Sequence, residues 1–155
     1  MRRHFHTGQW VPYSRDHVFA FFASPVNLPP LMPRWQQARI EEAQLTAEYA
    51  GVGSLIVISF RLIPLVPLRM KWEAYIAEFR WNDYFCDEQR KGPFKYFRHC
   101  HRVTDEERAG VMGSTVSDTV EYEPPPGVPD FLMRRQIAAL FVHRQRMLPK
   151  LLAAA

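Results

Sequence analysis

The 155-residue chain lacks most of the features that would assign it to a specialised class of protein. It has only two cysteines, Cys86 and Cys100, which are too few for a metal-binding quartet and do not resemble a disulfide scaffold. No apolar run is long enough to span a bilayer, and the N-terminal stretch MRRHFHTGQW lacks the apolar core of a secretory signal. We therefore expect free thiols, a reducing compartment and a cytoplasmic location.

Charge of one sign is not concentrated anywhere in the chain. The formal net charge is +4, but the basic residues are spread along the sequence and flanked by acidic ones. This distribution argues against a nucleic-acid partner. Arg134, Arg135, Arg146 and Lys150 predict a solvated helix face near the C-terminus, and contact of that face with anionic lipid headgroups is the weaker alternative.

Apolar and aromatic side chains are plentiful. Hydrophobic residues make up 47% of the chain and aromatic residues 14%, which predicts either a thick core or a cavity walled by rings. The length is that of one compact domain, so we expect a single domain over residues 1–155. The sequence gives no indication of an oligomeric state.

Hydrophobic periodicity predicts an α+β chain. A strand over about residues 4–11 precedes a short helix that begins after Ser14, a favourable N-cap, and four prolines in SPVNLPPLMPRW exclude a long helix there. Beyond Trp35 the pattern has a period of two and predicts six strands in an antiparallel meander. The C-terminal segment predicts one long amphipathic helix that bends or ends near Pro149. This helix would cover the apolar face of the sheet and, if the sheet curves, leave a cavity.

Several stretches together resemble the SRPBCC superfamily, which includes START lipid-transfer domains, birch-pollen-allergen-like proteins and polyketide cyclases. The nearest likeness is to a bacterial branch of small SRPBCC proteins with a Gly-Pro-Phe turn, a His-x-His strand and a Gly-Thr/Ser-x-x-x-Asp strand, which here fall at residues 92–94, 99–101 and 113–118. The resemblance implies the helix-grip fold, a seven-stranded antiparallel sheet wrapped around a long C-terminal helix with a ligand cavity between them. Superfamily members carry lipids, bind hormones, cyclise polyketides or act as regulatory partners, so the fold does not select one function. The stretches that carry the resemblance are VFAFFASPVNLPPLMP, WEAYIAEFRWNDYFCDEQRKGPFKYFRHCH, GSTVSDTVEYEPPPG and LFVHRQRMLPKLL.

The stretch DEQRKGPFKYFRHCH predicts a β-hairpin with polar side chains on its inward face. A turn at residues 92–94 fixes which residues lie opposite one another, and alternation then places every second side chain on the same face. A slip by one residue would instead bring Arg98 and Cys100 beside Asp87. The predicted pairs are Gln89 with Phe97, Asp87 with His99 and Phe85 with His101 on the inward face, and Glu88 with Arg98 and Cys86 with Cys100 on the outward face.

Two further segments add polar groups to this inward face. The following strand places Asp118 and Tyr122 on one side, and Arg144 falls within the apolar stripe of the C-terminal helix, where a charge needs a partner. We hypothesise that Asp87, His99, Asp118 and Arg144 form a hydrogen-bonded network on the cavity floor that orients the polar end of a ligand. The alternative is a structural network that clamps helix to sheet. The full predicted ligand-binding set is Asp87, Gln89, His99, His101, Asp118, Tyr122 and Arg144, with apolar walls from Trp72, Ile76, Phe85, Phe97 and Phe141.

A metal site is the next alternative. His99 and His101 share a face, Asp87 lies nearby, and the His4-x-His6 pair repeats the spacing on the first strand. The sequence supplies no supporting cysteine or Glu-x-x-His element, so we expect no metal and no other cofactor.

Catalysis is the remaining alternative. A histidine and aspartate pair in an apolar pocket is suited to act as general base in a cyclisation and dehydration, with Tyr122 or Arg144 stabilising an enolate oxygen. No nucleophile motif is present, and we assign no catalytic residue. We therefore expect a protein that binds a small hydrophobic or amphipathic ligand of lipid, polyketide or aromatic type. A polyketide cyclase or dehydratase-like enzyme, and a regulatory or membrane-associated module, are the alternatives.

Overall fold

A seven-stranded antiparallel sheet dominates the computed structural model, which describes residues 1–155. The elements are β1 (Arg3–Val11), α1 (Arg15–Ala23), three 3₁₀ helices (Pro25–Asn27, Pro29–Leu31 and Arg34–Gln36), β2 (Arg39–Gln44), β3 (Leu55–Arg61), β4 (Arg69–Arg80), β5 (Tyr84–Lys91), β6 (Tyr96–Arg108), β7 (Val111–Glu123) and α2 (Asp130–Ala154). Strands β2 to β7 pair consecutively as a meander, and β1 pairs with β7 to complete the order β1-β7-β6-β5-β4-β3-β2. The predicted helix-grip architecture is confirmed.

Helix α1 and the proline-rich segment after it connect β1 to the meander. The Ser14 side chain caps α1 by accepting a hydrogen bond from the backbone N–H of His17, and Asp16 lies in the first turn, where the helix dipole favours an anion. Residues 25–36 then form only single turns of 3₁₀ helix, because their prolines cannot donate the backbone hydrogen bonds of a longer helix.

Helix α2 continues through Pro149 to Ala154, so of the two predicted alternatives, a bend or an end near Pro149, the end does not occur. Pro149 has no N–H to donate to the carbonyl of Gln145, four residues earlier. The side chain of Gln9 on β1 donates to that carbonyl instead, over 2.7 Å. The amide of Gln145 in turn donates to Thr7 Oγ1 at 2.9 Å. A bond between helix and sheet therefore replaces the one that proline removes from the helix.

Buried apolar side chains form three clusters around the space between sheet and helix. The largest joins α1 to the C-terminal end of α2, through residues such as Phe19 and Leu152. The second lies on β3 and β4 around Ile58, and the third joins Tyr122 on β7 to Phe141 on α2. No helix of the chain combines the length and apolarity that a bilayer crossing requires.

A disulfide joins Cys86 on β5 to Cys100 on β6, so the expectation of free thiols is wrong. The sequence did predict that these residues face each other, and the observed register confirms that pairing. Their Cα atoms lie 4.1 Å apart, because residues directly opposite on antiparallel strands approach to about 4.5 Å in the closer type of pair. The cysteines therefore give no support for a reducing compartment.

Candidate functional site

A cavity of about 550 Å³ lies between the sheet and α2, a size within the usual range for small-molecule sites. Its walls come from the inward faces of β3 to β6, the C-terminal end of α1, the segment of residues 25–36, and α2. Hydrophobic residues make up 23 of the 33 that line it, so most of its surface offers no hydrogen bond.

The structure brings together eight of the predicted site residues at this cavity. They are Trp72, Ile76, Phe85, Asp87, Phe97, His99, Phe141 and Arg144. Gln89, His101, Asp118 and Tyr122 were predicted beside them but do not line the cavity.

The register of the β5–β6 hairpin places its polar side chains as predicted. Asp87 lies opposite His99, and Phe85 lies opposite His101, while Glu88 and Arg98 pair on the other face. The Arg98 guanidinium there donates to Glu88 and also to Glu78 on β4, an ion-pair group on the outer face of the sheet. Alternation along each strand therefore separates a solvated ionic face from the side that carries the acidic and imidazole groups.

Two histidines and two aspartates form a buried cluster on the inward side. Asp118 Oδ1 accepts from His99 Nε2 at 2.6 Å and from His101 Nδ1 at 2.8 Å. His99 Nδ1 lies 3.2 Å from Asp87 Oδ1. Both ring nitrogens of His99 thus face carboxylate oxygens, and only a doubly protonated imidazolium can donate to both. Burial alone would lower the pKa of His99, but the hydrogen bonds to Asp118 and Asp87 outweigh it and raise the pKa to about 9.

The two histidines that donate to Asp118 differ in charge. Burial lowers the pKa of His101, which is fully enclosed and packs against the Phe22 ring at a centroid distance of 4.0 Å. Its Nδ1–H donates to Asp118, and its Nε2 has no partner, as expected for a neutral imidazole. Burial would raise the pKa of Asp118, but His101 and His99 together hold that pKa well below its usual range. The cluster therefore contains two carboxylates, one imidazolium and one neutral imidazole.

Arg144 lines the cavity but does not belong to this network, which corrects the prediction. Its guanidinium makes no hydrogen bond or ion pair, and its central carbon lies 5.1 Å from the Phe141 ring centroid and 6.0 Å from that of Phe22. The imidazole of His101 takes the predicted place of Arg144 beside Asp118. Arg144 is thus a half-buried cation whose donors face the cavity region without a partner.

Gln89 and Tyr122 have structural positions away from the cavity. The side-chain amide of Gln89 donates to Phe94 O at 2.8 Å and accepts from Phe94 N at 3.2 Å, so it closes the hairpin turn. Tyr122 is fully buried, and its hydroxyl donates to Asp130 Oδ1 at 2.9 Å, at the first residue of α2. Burial and the hydrogen bond to Asp130 raise the pKa of the Tyr122 hydroxyl.

Part of the cavity wall, from the proline-rich segment and the first half of α2, was not predicted from the sequence. The available signal was the recurrence of large apolar residues between the prolines of NLPPLMPRW, which a solvated loop does not need. The missed lining residues include Leu28, Leu31, Met32, Trp35, Met133, Gln136 and Leu140.

His99, His101 and Asp118 also have the composition of a metal site. One ligand atom from each lies within 4.8 Å of the others. In the structure Asp118 accepts a hydrogen bond from each histidine, so protons occupy the contacts that a metal ion would take. A metal ion would have to displace those protons. The absence of a resident metal stays a prediction.

The antiparallel sheet, the long C-terminal helix and the cavity between them define the helix-grip class of protein. Solved structures of Bet v 1-like proteins share this fold: Ara h 8.0201 matches at 12% identity over 100% of both chains with a TM-score of 0.68. CV1439 from Chromobacterium violaceum matches at 13% identity over 96% of both chains with a TM-score of 0.69. Ginseng major latex-like protein 151 from Panax ginseng matches at 14% identity over 96% of both chains with a TM-score of 0.68. The chain therefore has the Bet v 1-like helix-grip fold.

Neither a family model nor a curated protein sequence matches the chain.

Proposed function

We propose that this protein binds a small hydrophobic or amphipathic molecule, of lipid, polyketide or aromatic type, in the cavity between the sheet and α2. The observation that carries the proposal is the combination of about 550 Å³ of mostly apolar space with a few polar groups at its wall. Apolar walls supply affinity through burial, and isolated polar groups fix orientation.

Arg144 and Asp87 are the groups that would hold the polar end of the ligand. The Arg144 guanidinium has no hydrogen-bond partner, and a carboxylate can accept two parallel hydrogen bonds from its planar donors. Asp87 uses one carboxylate oxygen to accept from His99, which leaves its second oxygen for a ligand hydroxyl. The rings of Phe22 and Phe141 near Arg144 would contact the adjoining apolar part.

A cavity-filling substitution tests the proposed function. Ala74 lines the cavity, so Ala74→Phe should reduce binding of the apolar fluorescent probe 1-anilinonaphthalene-8-sulfonate about tenfold or more, because the added ring occupies the space. Ala77→Phe is the matched control, since Ala77 lies on the same strand but does not line the cavity. Circular dichroism would verify that both variants fold. Equal probe binding by both folded variants would contradict a site in this cavity.

The orientation of the ligand has its own test. Arg144→Met retains length and apolar contact but removes the charge, and Arg146→Met is the control on the exposed side of the same helix. We expect Arg144→Met to weaken binding of a long-chain fatty acid by about ten- to a hundredfold, while binding of the alcohol of equal length changes little. Isothermal titration calorimetry would measure both. Equal losses for acid and alcohol would show that Arg144 contributes only packing.

The geometry favours binding over base catalysis. Both nitrogens of His99, the imidazole that lines the cavity, are committed to carboxylates. The imidazole nitrogen with a free lone pair, Nε2 of His101, is buried away from the cavity. A general base must reach the proton that it removes, and neither histidine meets that requirement in this arrangement.

A further inference from the structure

The loop between β3 and β4 exposes an unbroken apolar run. Residues 62–68 read Leu-Ile-Pro-Leu-Val-Pro-Leu and contain no charged or hydrogen-bonding side chain. Leu65 is 97% exposed, Leu68 63% and Ile63 55%. Single exposed leucines are ordinary, but a contiguous group of this kind marks an interaction surface.

The backbone of this loop holds its central leucine in solvent. A turn closed by the hydrogen bond from Val66 N to Ile63 O places Leu65 at a φ of +67°, in the left-handed region that leucine seldom adopts. Such a conformation costs about 1–2 kcal/mol for a residue with a side chain. Neither the exposure of Leu65 nor its backbone conformation stabilises the isolated protein, which indicates that the loop contacts another molecule.

The apolar loop adjoins the ligand cavity. Leu62, its first residue, lines the cavity together with Phe60 at the end of β3 and Trp35 in the proline-rich segment. Trp35 is itself 42% exposed. The 3₁₀ turn that carries Trp35 is tied to the base of the loop, because Arg69 donates to the carbonyl of Gln37 at 2.7 Å. One end of the cavity therefore lies beneath the exposed apolar group.

Four cationic side chains surround the base of the loop. Arg61 and Arg69 lie opposite each other where β3 ends and β4 begins, and Lys71 lies one pair further along the same face. Arg34 is exposed on the adjacent 3₁₀ turn. None of these four forms a direct ion pair, but Lys71 acts electrostatically on Glu41, and the Arg69 guanidinium donates to Ser59 and to the Gln37 carbonyl. Arg61 and Arg34 are the two whose charges are left without a protein partner. The apolar loop thus has a positively charged rim.

We propose that residues 62–68 insert into the surface of a phospholipid bilayer that carries anionic headgroups, with the cationic rim in contact with those headgroups. Burial of the leucine side chains among acyl chains supplies one part of the affinity. Attraction of each rim cation to the negative surface supplies another. In this orientation the adjoining end of the cavity faces the bilayer, so that an apolar ligand passes between protein and membrane without crossing water.

Leu65→Asn tests the apolar contribution. Asparagine tolerates the left-handed conformation and adds no charge, so the variant should be at least as stable as the native protein. We expect its partition onto vesicles of phosphatidylglycerol and phosphatidylcholine, measured by sedimentation, to fall about tenfold. Leu45→Asn is the matched control: Leu45 is also an exposed loop leucine, 40% exposed, but lies near the other end of β3, about 20 Å away.

Vesicle composition and self-association complete the test. Native protein should bind purely zwitterionic vesicles more weakly, by about fivefold for each rim cation engaged, and salt should weaken its binding to anionic vesicles. Equal binding by the Leu65 and Leu45 variants would overturn the proposal. It would also be overturned if Leu65→Asn left vesicle binding intact and instead abolished a dimer seen by analytical ultracentrifugation. The Ala74→Phe protein should still bind vesicles, so failure of ligand binding and failure of membrane docking are separately observable.

Discussion

The buried histidine cluster predicts that the protein loses stability as the pH rises above neutrality. His99 has its pKa raised from the ordinary 6.5 to about 9 in the folded protein. Below pH 6.5 it is protonated in both states, and its bonds to Asp118 and Asp87 are fully present. Between pH 6.5 and 9 the unfolded chain gives up the proton while the folded chain retains it, so the free energy of unfolding decreases through this interval.

The expected size of the loss follows from the difference between these two pKa values. Each pKa unit corresponds to about 1.4 kcal/mol, so raising the pH from 6.5 to above 9 should remove on the order of 3 kcal/mol. His101 acts in the opposite direction on the acid side. Its folded pKa is lowered, so acidification below pH 6.5 protonates the unfolded chain first and destabilises the fold. Asp118, whose pKa is also lowered, adds to that loss below about pH 4. Stability should therefore be greatest near pH 6.5.

Urea denaturation at several pH values between 5 and 9.5 would measure this profile. The variant His99→Gln should lose the decline between pH 6.5 and 9, whereas His4→Gln, which changes an exposed histidine, should retain it. Nuclear magnetic resonance titration of the His99 ring in the native protein gives a second readout that requires no variant. A flat or rising free energy of unfolding from pH 6.5 to 9, or a His99 ring that titrates near 6.5, would refute the assignment of an imidazolium bound by two carboxylates.

Three further predictions concern the packing that supports the site. Gly113→Ala should destabilise the fold by about 2 kcal/mol, because the added Cβ would lie 2.4 Å from the carbonyl oxygen of Val11. Gly8→Ala, whose Cβ would lie 3.6 Å from the nearest atom, should destabilise it far less. Similar urea midpoints for the two variants would contradict this reasoning. Gln9→Ala should lower the free energy of unfolding by about 1 kcal/mol in the native chain. The loss should be smaller in a Pro149→Ala background, because the introduced alanine supplies a backbone N–H to the Gln145 carbonyl. A double-mutant cycle without coupling would show that the Gln9 side chain does not replace that backbone bond. Reduction of the β5–β6 disulfide, whose cysteines are 14 residues apart, should remove about 3 kcal/mol, and an unchanged melting temperature on adding a thiol reductant would count against it.

The inward position of Asp87 and His99 could be predicted from the sequence because it depends on local information. A short turn and a period of two fix the pairing within a hairpin, and the ionic pair of Glu88 and Arg98 identifies the solvated side. The order of the elements was predictable for a similar reason, since turns and changes of period mark each boundary.

The partners of individual polar groups could not be predicted, because they depend on competition in three dimensions. A charge within an apolar helix stripe indicates a buried partner, yet His101 occupies the position beside Asp118 that Arg144 was expected to fill. Helix α2 similarly continues past Pro149 because a side chain more than a hundred residues earlier satisfies the freed carbonyl. The sequence contains both residues of that contact but not the distance between them.

The covalent link between β5 and β6 fixes the alignment of the two strands on which the polar cluster depends. A displacement of β6 by one residue would turn His99 and His101 outward, away from Asp87, and carry Arg98 toward the apolar interior. Once the sulfurs are joined, that displaced arrangement is chemically inaccessible. Oxidation of this hairpin thus locks covalently the alignment that keeps both imidazoles on the side of the two aspartates.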